Sequence, residues 1–498
     1  MVPYIQIMEY YAELGRAIRG TRENLADLVY IAGWELDLDT FVDPPGTDPR
    51  QTLRELLSMA AGRGVEVRVL LTDQPNGPPN REVASAIGKM SGGGVVDPFH
   101  KLVGSQHQKL VIIRNAEGVV AFCGGCDIAN VRLGREGVRG PDRPADGPLA
   151  SAPWHDVQVR VEGPAVTDLW NTFVQRFNEV AANRFPGTGI RGIPVYGAEA
   201  VREAQPAGDS RAAGNLNVQV VRTYPNYRKN HFGDTLILPP YQVGYKFAPD
   251  GELGIYNLLT HAISLTTSTI YLEDQYLVGS VAMGGHPPIT EALRKTIEKT
   301  SFQRMVIVVA GTGTIQDELF QAGSRRAEFI QQLGPQAAHK VAVYVYTGDR
   351  NSPYWFHSKT WIFDDRFALI GSANCNRRGY SHDSELGVGV AGPGDAREGG
   401  FAHRLRMGLW LKHLNARPEG TGRAGARPLA DGDVRDFVAA SSLWEQAPLL
   451  VRVDFTRAPE PDQSVDEKFA AQYPRIARIY RRFRGRDFDW SLIDPDGA

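Results

Sequence analysis

Two stretches of the 498-residue chain place an imidazole and an ammonium two residues apart on strand-like sequence. The first is Gln106-His107-Gln108-Lys109-Leu110-Val111-Ile112-Ile113, and the second is Phe356-His357-Ser358-Lys359-Thr360-Trp361-Ile362-Phe363. Residues i and i+2 of a strand leave the same face, so each His and Lys point together. Ser372 and Asn374 stand just past the next apolar run, Phe367-Ala368-Leu369-Ile370, and could converge on the second pair. An imidazole, an ammonium, a hydroxyl and an amide make a site for a phosphoryl group, with one nucleophile or proton carrier and several donors for oxygens. A lone histidine is more often a satisfied core residue, but a lysine on an apolar strand is a poor structural choice, because a buried ammonium needs an anion.

The elements that must position these groups occur twice. His107 and His357 are 250 residues apart, as are Lys109 and Lys359, and a turn, an apolar strand and a glycine pair or Gly-Ser follow each. The turns are Arg114 to Gly118 and Asp364-Asp365, and the strand ends are Gly124-Gly125-Cys126-Asp127 and Gly371-Ser372-Ala373-Asn374. A duplicated unit is the economical explanation. Before the first hairpin the patterning predicts strands at 28–34 and 65–71 around a helix at 50–61, then a long Gly/Pro/Asn-rich loop at 73–99. After it come a strand at 154–164 and a helix at 165–182. The second half repeats this order, with helices near 253–266, 289–299, 324–333 and 401–414 and strands at 269–276, 305–310 and 341–346. The expected organisation is a first lobe at 1–183, a connecting segment at 184–250, a second lobe at 251–415 and a C-terminal extension at 416–498 with a basic helix around Arg475 to Arg486.

Composition bounds the function. The chain is 42% hydrophobic and 22% charged with a formal net charge of -2, which argues against a dedicated nucleic-acid binder and requires any anion site to be a local concentration of positive charge. Three cysteines, Cys123, Cys126 and Cys375, form no disulfide framework. Cys123 and Cys126 have CxxC spacing, but no second such pair completes a zinc site. No run approaches the length of a membrane span, which leaves peripheral lipid contact open, and no Sec-type signal is visible. The expected location is the cytoplasm, or export without such a signal.

The stretch His357-x-Lys359-x-x-x-x-Asp364 followed by Gly371-Ser372-x-Asn374 resembles the signature of the phospholipase D superfamily, and His107-x-Lys109 with Gly124-Gly125-x-Asp127 resembles it again. Similarity to eukaryotic-type phospholipases D and their bacterial relatives extends to Tyr30-Ile31-Ala32-Gly33-Trp34, Trp154-His155-Asp156, Ile270 to Tyr276 and Leu405 to Trp410, covering about residues 20 to 415. The resemblance implies an α/β fold of two similar lobes, each a mixed β-sheet flanked by helices, with the active site at the lobe interface. It implies a bacterial source and a phosphohistidine mechanism. One neutral imidazole attacks phosphorus, the other protonates the departing alkoxide, and Lys109, Lys359, Ser372 and Asn374, with the Gly125 and Asp127 region of the first half, hold the phosphate oxygens. No metal or other cofactor is required. By the same resemblance Glu385 pairs with His107, Asp156 with His357, the nucleophile is His107, and Asp364 braces its hairpin.

One departure stands out: Arg114 occupies the position of the first-motif aspartate. Tyrosyl-DNA phosphodiesterases, in the same superfamily, lack that aspartate and are catalytic. The expected function is therefore cleavage or transfer of a phospholipid headgroup. The alternatives are the same chemistry on a non-lipid phosphodiester, such as a nucleic acid or biosynthetic metabolite, or a catalytically silent phosphate-binding member.

Overall fold

Strands that read as continuous apolar runs, such as Leu28-Val29-Tyr30-Ile31-Ala32, belong to sheets covered on both faces. A computed structural model shows how, describing residues 1–23, 26–43, 47, 49–73, 79–90, 92–99, 104–137, 154–182, 195–196, 214–226, 245–278, 286–311, 322–346, 355–393, 399–416, 427–447 and 449–453. The first lobe contains β1 (Val2–Tyr4), β2 (Leu28–Gly33), β3 (Glu66–Thr72), β4 (Gly93–Asp97), β5 (Leu110–Asn115), β6 (Gly118–Gly124), β7 (Trp154–His155), β8 (Gln158–Val161) and β9 (Val195–Tyr196). All but β7 form one eight-stranded sheet in the order β1-β8-β6-β5-β2-β3-β4-β9. β2, β3 and β4 run parallel, and β5 returns antiparallel to β2.

The second lobe contains β10 (Asn217–Tyr224), β11 (Glu252–Leu253), β12 (Thr269–Asp274), β13 (Arg304–Val309), β14 (Val341–Tyr346), β15 (Trp355–Phe356), β16 (Lys359–Phe363), β17 (Phe367–Gly371), β18 (Glu385–Ala391) and β19 (Leu450–Arg452). Its nine-stranded sheet has the order β11-β10-β18-β17-β16-β12-β13-β14-β19. The central run β18-β17-β16-β12-β13-β14 repeats β8-β6-β5-β2-β3-β4 of the first sheet, as a duplicated unit requires.

Strand alternation sorts the apolar side chains into three cores. Val29 and Ile31 pack outward against the helices Ile7–Arg19 and Leu53–Gly62, while Trp361 and Phe363 pack outward against the helices of the second lobe. Tyr30, Ala32, Ile362 and Ile370 point inward to a shared core with Trp170, Phe173, Leu405 and Trp410. That core carries the helices Val166–Ala182 and Phe401–Asn415 between the two sheets. Burial of these large side chains on facing surfaces fixes the lobes against each other.

Some expectations fail for identifiable reasons. The segment 73–99, read as a loop, contains the helix Asn80–Gly88 and strand β4. Its glycines are packing devices: a Cβ on Gly94 would stand 2.2 Å from the carbonyl oxygen of Ala84. The strand expected at 154–164 is broken at Asp156-Val157 into β7 and β8. Residues 217–224, taken as connection, form β10 and pair with β18, and β19 beyond residue 416 pairs with β14. The basic helix expected after residue 454 and most of the loops 184–214 and 278–288 lie outside the described residues.

Candidate active site

Each motif histidine is delivered by backbone that pairs across the lobes. β15 runs parallel to β7, Phe356 opposite His155, and the His357 N–H donates to the carbonyl of His155 at 2.8 Å. In the other direction Gln106 bridges Ser384 in parallel, and the His107 N–H donates to the Ser384 carbonyl at 2.9 Å. The segment carrying each histidine therefore runs beside the segment carrying a carboxylate of the opposite lobe. The consequence is that His357 Nδ1 lies 2.6 Å from Asp156 Oδ2, and His107 Nδ1 lies 3.1 and 3.2 Å from the two oxygens of Glu385. All four side chains are buried. A carboxylate on Nδ1 fixes the tautomer and keeps that nitrogen engaged.

Burial, helped by the Lys359 ammonium, pushes the His357 imidazole well below its ordinary value, against the pull of Asp156. Burial thus favours the neutral imidazole of His357. Lys359 donates to Gln275 Oε1 at 3.1 Å and to its neighbour's carbonyl, that of His357. Lys109 faces a full charge instead, with its Nζ 3.0 Å from Asp127 Oδ2. Burial disfavours the Asp127 anion, but Lys109 and Arg132 outweigh it and hold the carboxyl below the usual range. Asp127 also accepts from the backbone N–H groups of Trp34 and Glu35 at 2.9 and 3.3 Å, which ties the end of β2 to the site.

Three of the residues expected to hold phosphate already have partners or close neighbours in the fold. Ser372 Oγ donates to Glu385 and accepts from the Leu386 N–H at 3.1 Å, so it orients the carboxylate beneath His107. Gly125 offers no side chain for a physical reason: a Cβ there would stand 2.2 Å from Asp156 Oδ1. The glycine is the space that Asp156 fills. Asp127, being anionic and ion-paired, repels a phosphate and serves Lys109, whereas Asn374, at the equivalent place in the second lobe, is neutral and fully buried.

Asp364 braces the second hairpin. At φ +50° it turns the chain, and its carboxylate accepts from the N–H groups of Thr267, Ser268 and Thr269 and from the Thr267 hydroxyl, at 2.8–2.9 Å. Arg114 is not a failed copy of it. The first hairpin runs two residues further, with Arg114 an ordinary strand residue opposite Leu28 and Val119 and the turn falling after Asn115. Asn115 takes over the bracing, donating from Nδ2 to the Ala17 carbonyl at 2.8 Å.

Three features escaped the sequence reading. Trp154, expected as packing, lies with its ring 4.8 Å from that of His357, and the guanidinium of Arg132 sits 3.6 Å above the Trp154 ring. Nothing in its sequence surroundings marked Arg132. Behind His357, Glu273 accepts from His155 and His413, both through Nε2 at 2.8 Å, and Lys412 Nζ lies 2.7 Å from His155 Nδ1. Glu273, His155 and His413 are the group with metal-ligand character among the described residues, yet each polar atom named is already satisfied by another. The three cysteines are buried and unpaired.

The two lobes repeat one α/β unit and present their histidine–lysine strands across a common interface. The chain belongs to the phospholipase D superfamily. Residues 260–399 match the family model described as cardiolipin synthase, phospholipase D-like domain, and residues 145–297 match that described as phospholipase D. Among similar proteins are phospholipase D gamma 1 of Arabidopsis thaliana, 25% identical over 82% of this chain and 62% of its own, and phospholipase D alpha 2 of Oryza sativa subsp. japonica, 23% identical over 78% and 62%. The chain thus spans under two thirds of these plant relatives. The crystal structure of phosphatidylserine synthase from Haemophilus influenzae shares the fold with a TM-score of 0.53, at 11% identity, over 97% of this chain and 92% of that one. Among the described residues no helix is long and apolar enough to cross a membrane.

Proposed function

We propose that the chain is a phosphodiesterase of phospholipase D type that cleaves, or transfers to another alcohol, the headgroup of a phospholipid through a phosphohistidine. The observation that carries this reading is the reciprocal pairing of His107 with Glu385 and His357 with Asp156 across the lobes. His107 attacks phosphorus and the P–O bond to the headgroup breaks. His357 gives its proton to the departing alkoxide, then takes a proton from water or an alcohol that displaces His107. Burial and Lys359 disfavour the His357 cation, so His357 takes up its proton from solvent once the negative charge of the substrate offsets Lys359. That same preference for the neutral imidazole favours a second reading in which the two histidines exchange roles.

The phospholipid assignment draws on the named activities of the similar plant proteins and on the chain's modest net charge of -2, which suits a lipid better than a long polyanion. The test is turnover of phospholipids in detergent micelles, read by headgroup release, beside a soluble chromogenic phosphodiester. Release abolished by His357→Ala supports the proposal. Turnover of the soluble diester without any phospholipid would move the substrate to the non-lipid class, and turnover of neither would leave a silent phosphate binder.

A further inference from the structure

Arg132 is a buried cation with unused donors. It is 4% exposed, and its Nε and Nη1 have no hydrogen-bond partner among the described residues. Its Nη2 faces Asp127 Oδ2 and Glu35 Oε2, each at 3.6 Å, too far for a hydrogen bond. The plane of the guanidinium is held by Trp154, which itself packs on His357. Nearby, Lys109 Nζ and Asp127 Oδ2 are also without a hydrogen bond, although 3.0 Å apart. A void of about 10 Å³ beside Lys109 and Asp127 is at the lower limit for one water, and Arg132 does not line it. A water there would leave Nε and Nη1 of Arg132 as they are. Buried donors of this kind are expensive unless something meets them.

The two lobes reach the same local charge differently. Asn374 is the counterpart of Asp127, and five residues on, Gly379 is the counterpart of Arg132. A Cβ on Gly379 would stand 2.6 Å from the Asn374 carbonyl, so no side chain fits. In the second lobe Lys359 meets the neutral amide of Gln275. In the first, Asp127 cancels Lys109, and Arg132 restores the positive charge. Glu35 is partly exposed and therefore screened by solvent.

We infer that Arg132 is a substrate-binding residue whose guanidinium gives one of these N–H donors to a non-bridging oxygen of the phosphoryl group beside His357, with Lys109 on the same oxyanion site. This rests on the proposed phosphodiesterase function and adds to it a residue that neither motif contains. A charged hydrogen bond of this type is lost only with a large fall in affinity.

The experiment is calorimetric titration of the full chain with inorganic phosphate and with vanadate, together with kcat/KM on a soluble phosphodiester, for wild type, Arg132→Gln and Arg132→Gln/Asp127→Asn. The inference expects Arg132→Gln to weaken both anions and to lower kcat/KM by about 10- to 100-fold. It expects the double variant, which recreates the lysine-plus-amide arrangement of the second lobe, to recover much of that loss. The amide introduced at position 127 would keep an Oδ1 for the backbone of Trp34 and Glu35, so the fold is retained. Unchanged affinity in Arg132→Gln overturns the inference, as does a loss that the double variant fails to recover and that tracks a fall in Tm, which would make Arg132 a brace for Asp127. Weakened anion binding with intact kcat/KM also overturns it, by placing the anion off the reaction path. Wild type that binds no phosphate and turns over no diester would overturn the proposed function itself.

Discussion

His357 Nδ1 lies 2.6 Å from Asp156 Oδ2, and Asp156 comes from the other lobe. The arrangement is reciprocal, since Glu385 of the second lobe meets His107 of the first. Neither motif histidine takes its carboxylate from its own lobe. Asp156→Asn and Glu385→Gln should each keep the fold, because the amides are close in shape, and lower kcat by about 100- to 10,000-fold. Steady-state kinetics with circular dichroism checks this. Retention of more than a tenth of the activity would count against a proton-handling role for the pair.

The closeness of Gly125 to Asp156 makes a second prediction. Gly125→Ser, which recreates the Gly-Ser of the second motif, forces a Cβ against the Asp156 carboxylate and should abolish activity. Ser372→Ala removes one donor from Glu385 and should cost only about tenfold. Equal effects of the two substitutions would show that the lobes treat this position alike.

Arg114→Asp should leave kcat/KM within about threefold of wild type, because residue 114 is strand in this lobe and Asn115 does the bracing. Asp364→Ala, by contrast, leaves three backbone donors and a hydroxyl unmet and should destabilise the fold by about 3 kcal/mol in denaturant titration. A large activity gain in Arg114→Asp would mean that the first hairpin is a weakened copy after all.

These positions also show what was legible. The His-x-Lys pairs, the duplication and most strands and helices followed from periodicity and repeated spacing, and the carboxylate partners Asp156 and Glu385 followed from family resemblance. Helix Asn80–Gly88 and strand β4 were missed because their glycines, needed for close helix–strand contact, are also loop residues. The break between β7 and β8 was missed because Trp154 to Val161 alternates like one strand, while pairing with β15 of the other lobe ends β7 at His155. For Ser372 the sequence shows that a hydroxyl is near the site but not that it meets the Glu385 carboxylate. Arg132 had no signal at all, since only the fold sets it over Trp154.

Lys412 supplies a pH dependence. Burial brings its ammonium down to about 8 from the ordinary 10.5, although Glu273 and Asp156 pull the other way. Between those values the unfolded chain holds a proton that the folded chain has released, so stability should rise with pH across that window. Unfolding free energies at pH 8, 9 and 10 should climb for wild type and climb less for Lys412→Met. Parallel curves would mean that Lys412 titrates normally in the fold.

The central claim is that one phosphorus is worked on by histidines of both lobes, with a covalent intermediate on His107. Acid quench during turnover of a phosphorus-labelled phospholipid, followed by peptide mapping, tests it directly. The account predicts label on the peptide carrying His107, lost in His107→Ala. Label on the His357 peptide would exchange the two roles, and full turnover with no labelled histidine would contradict the account.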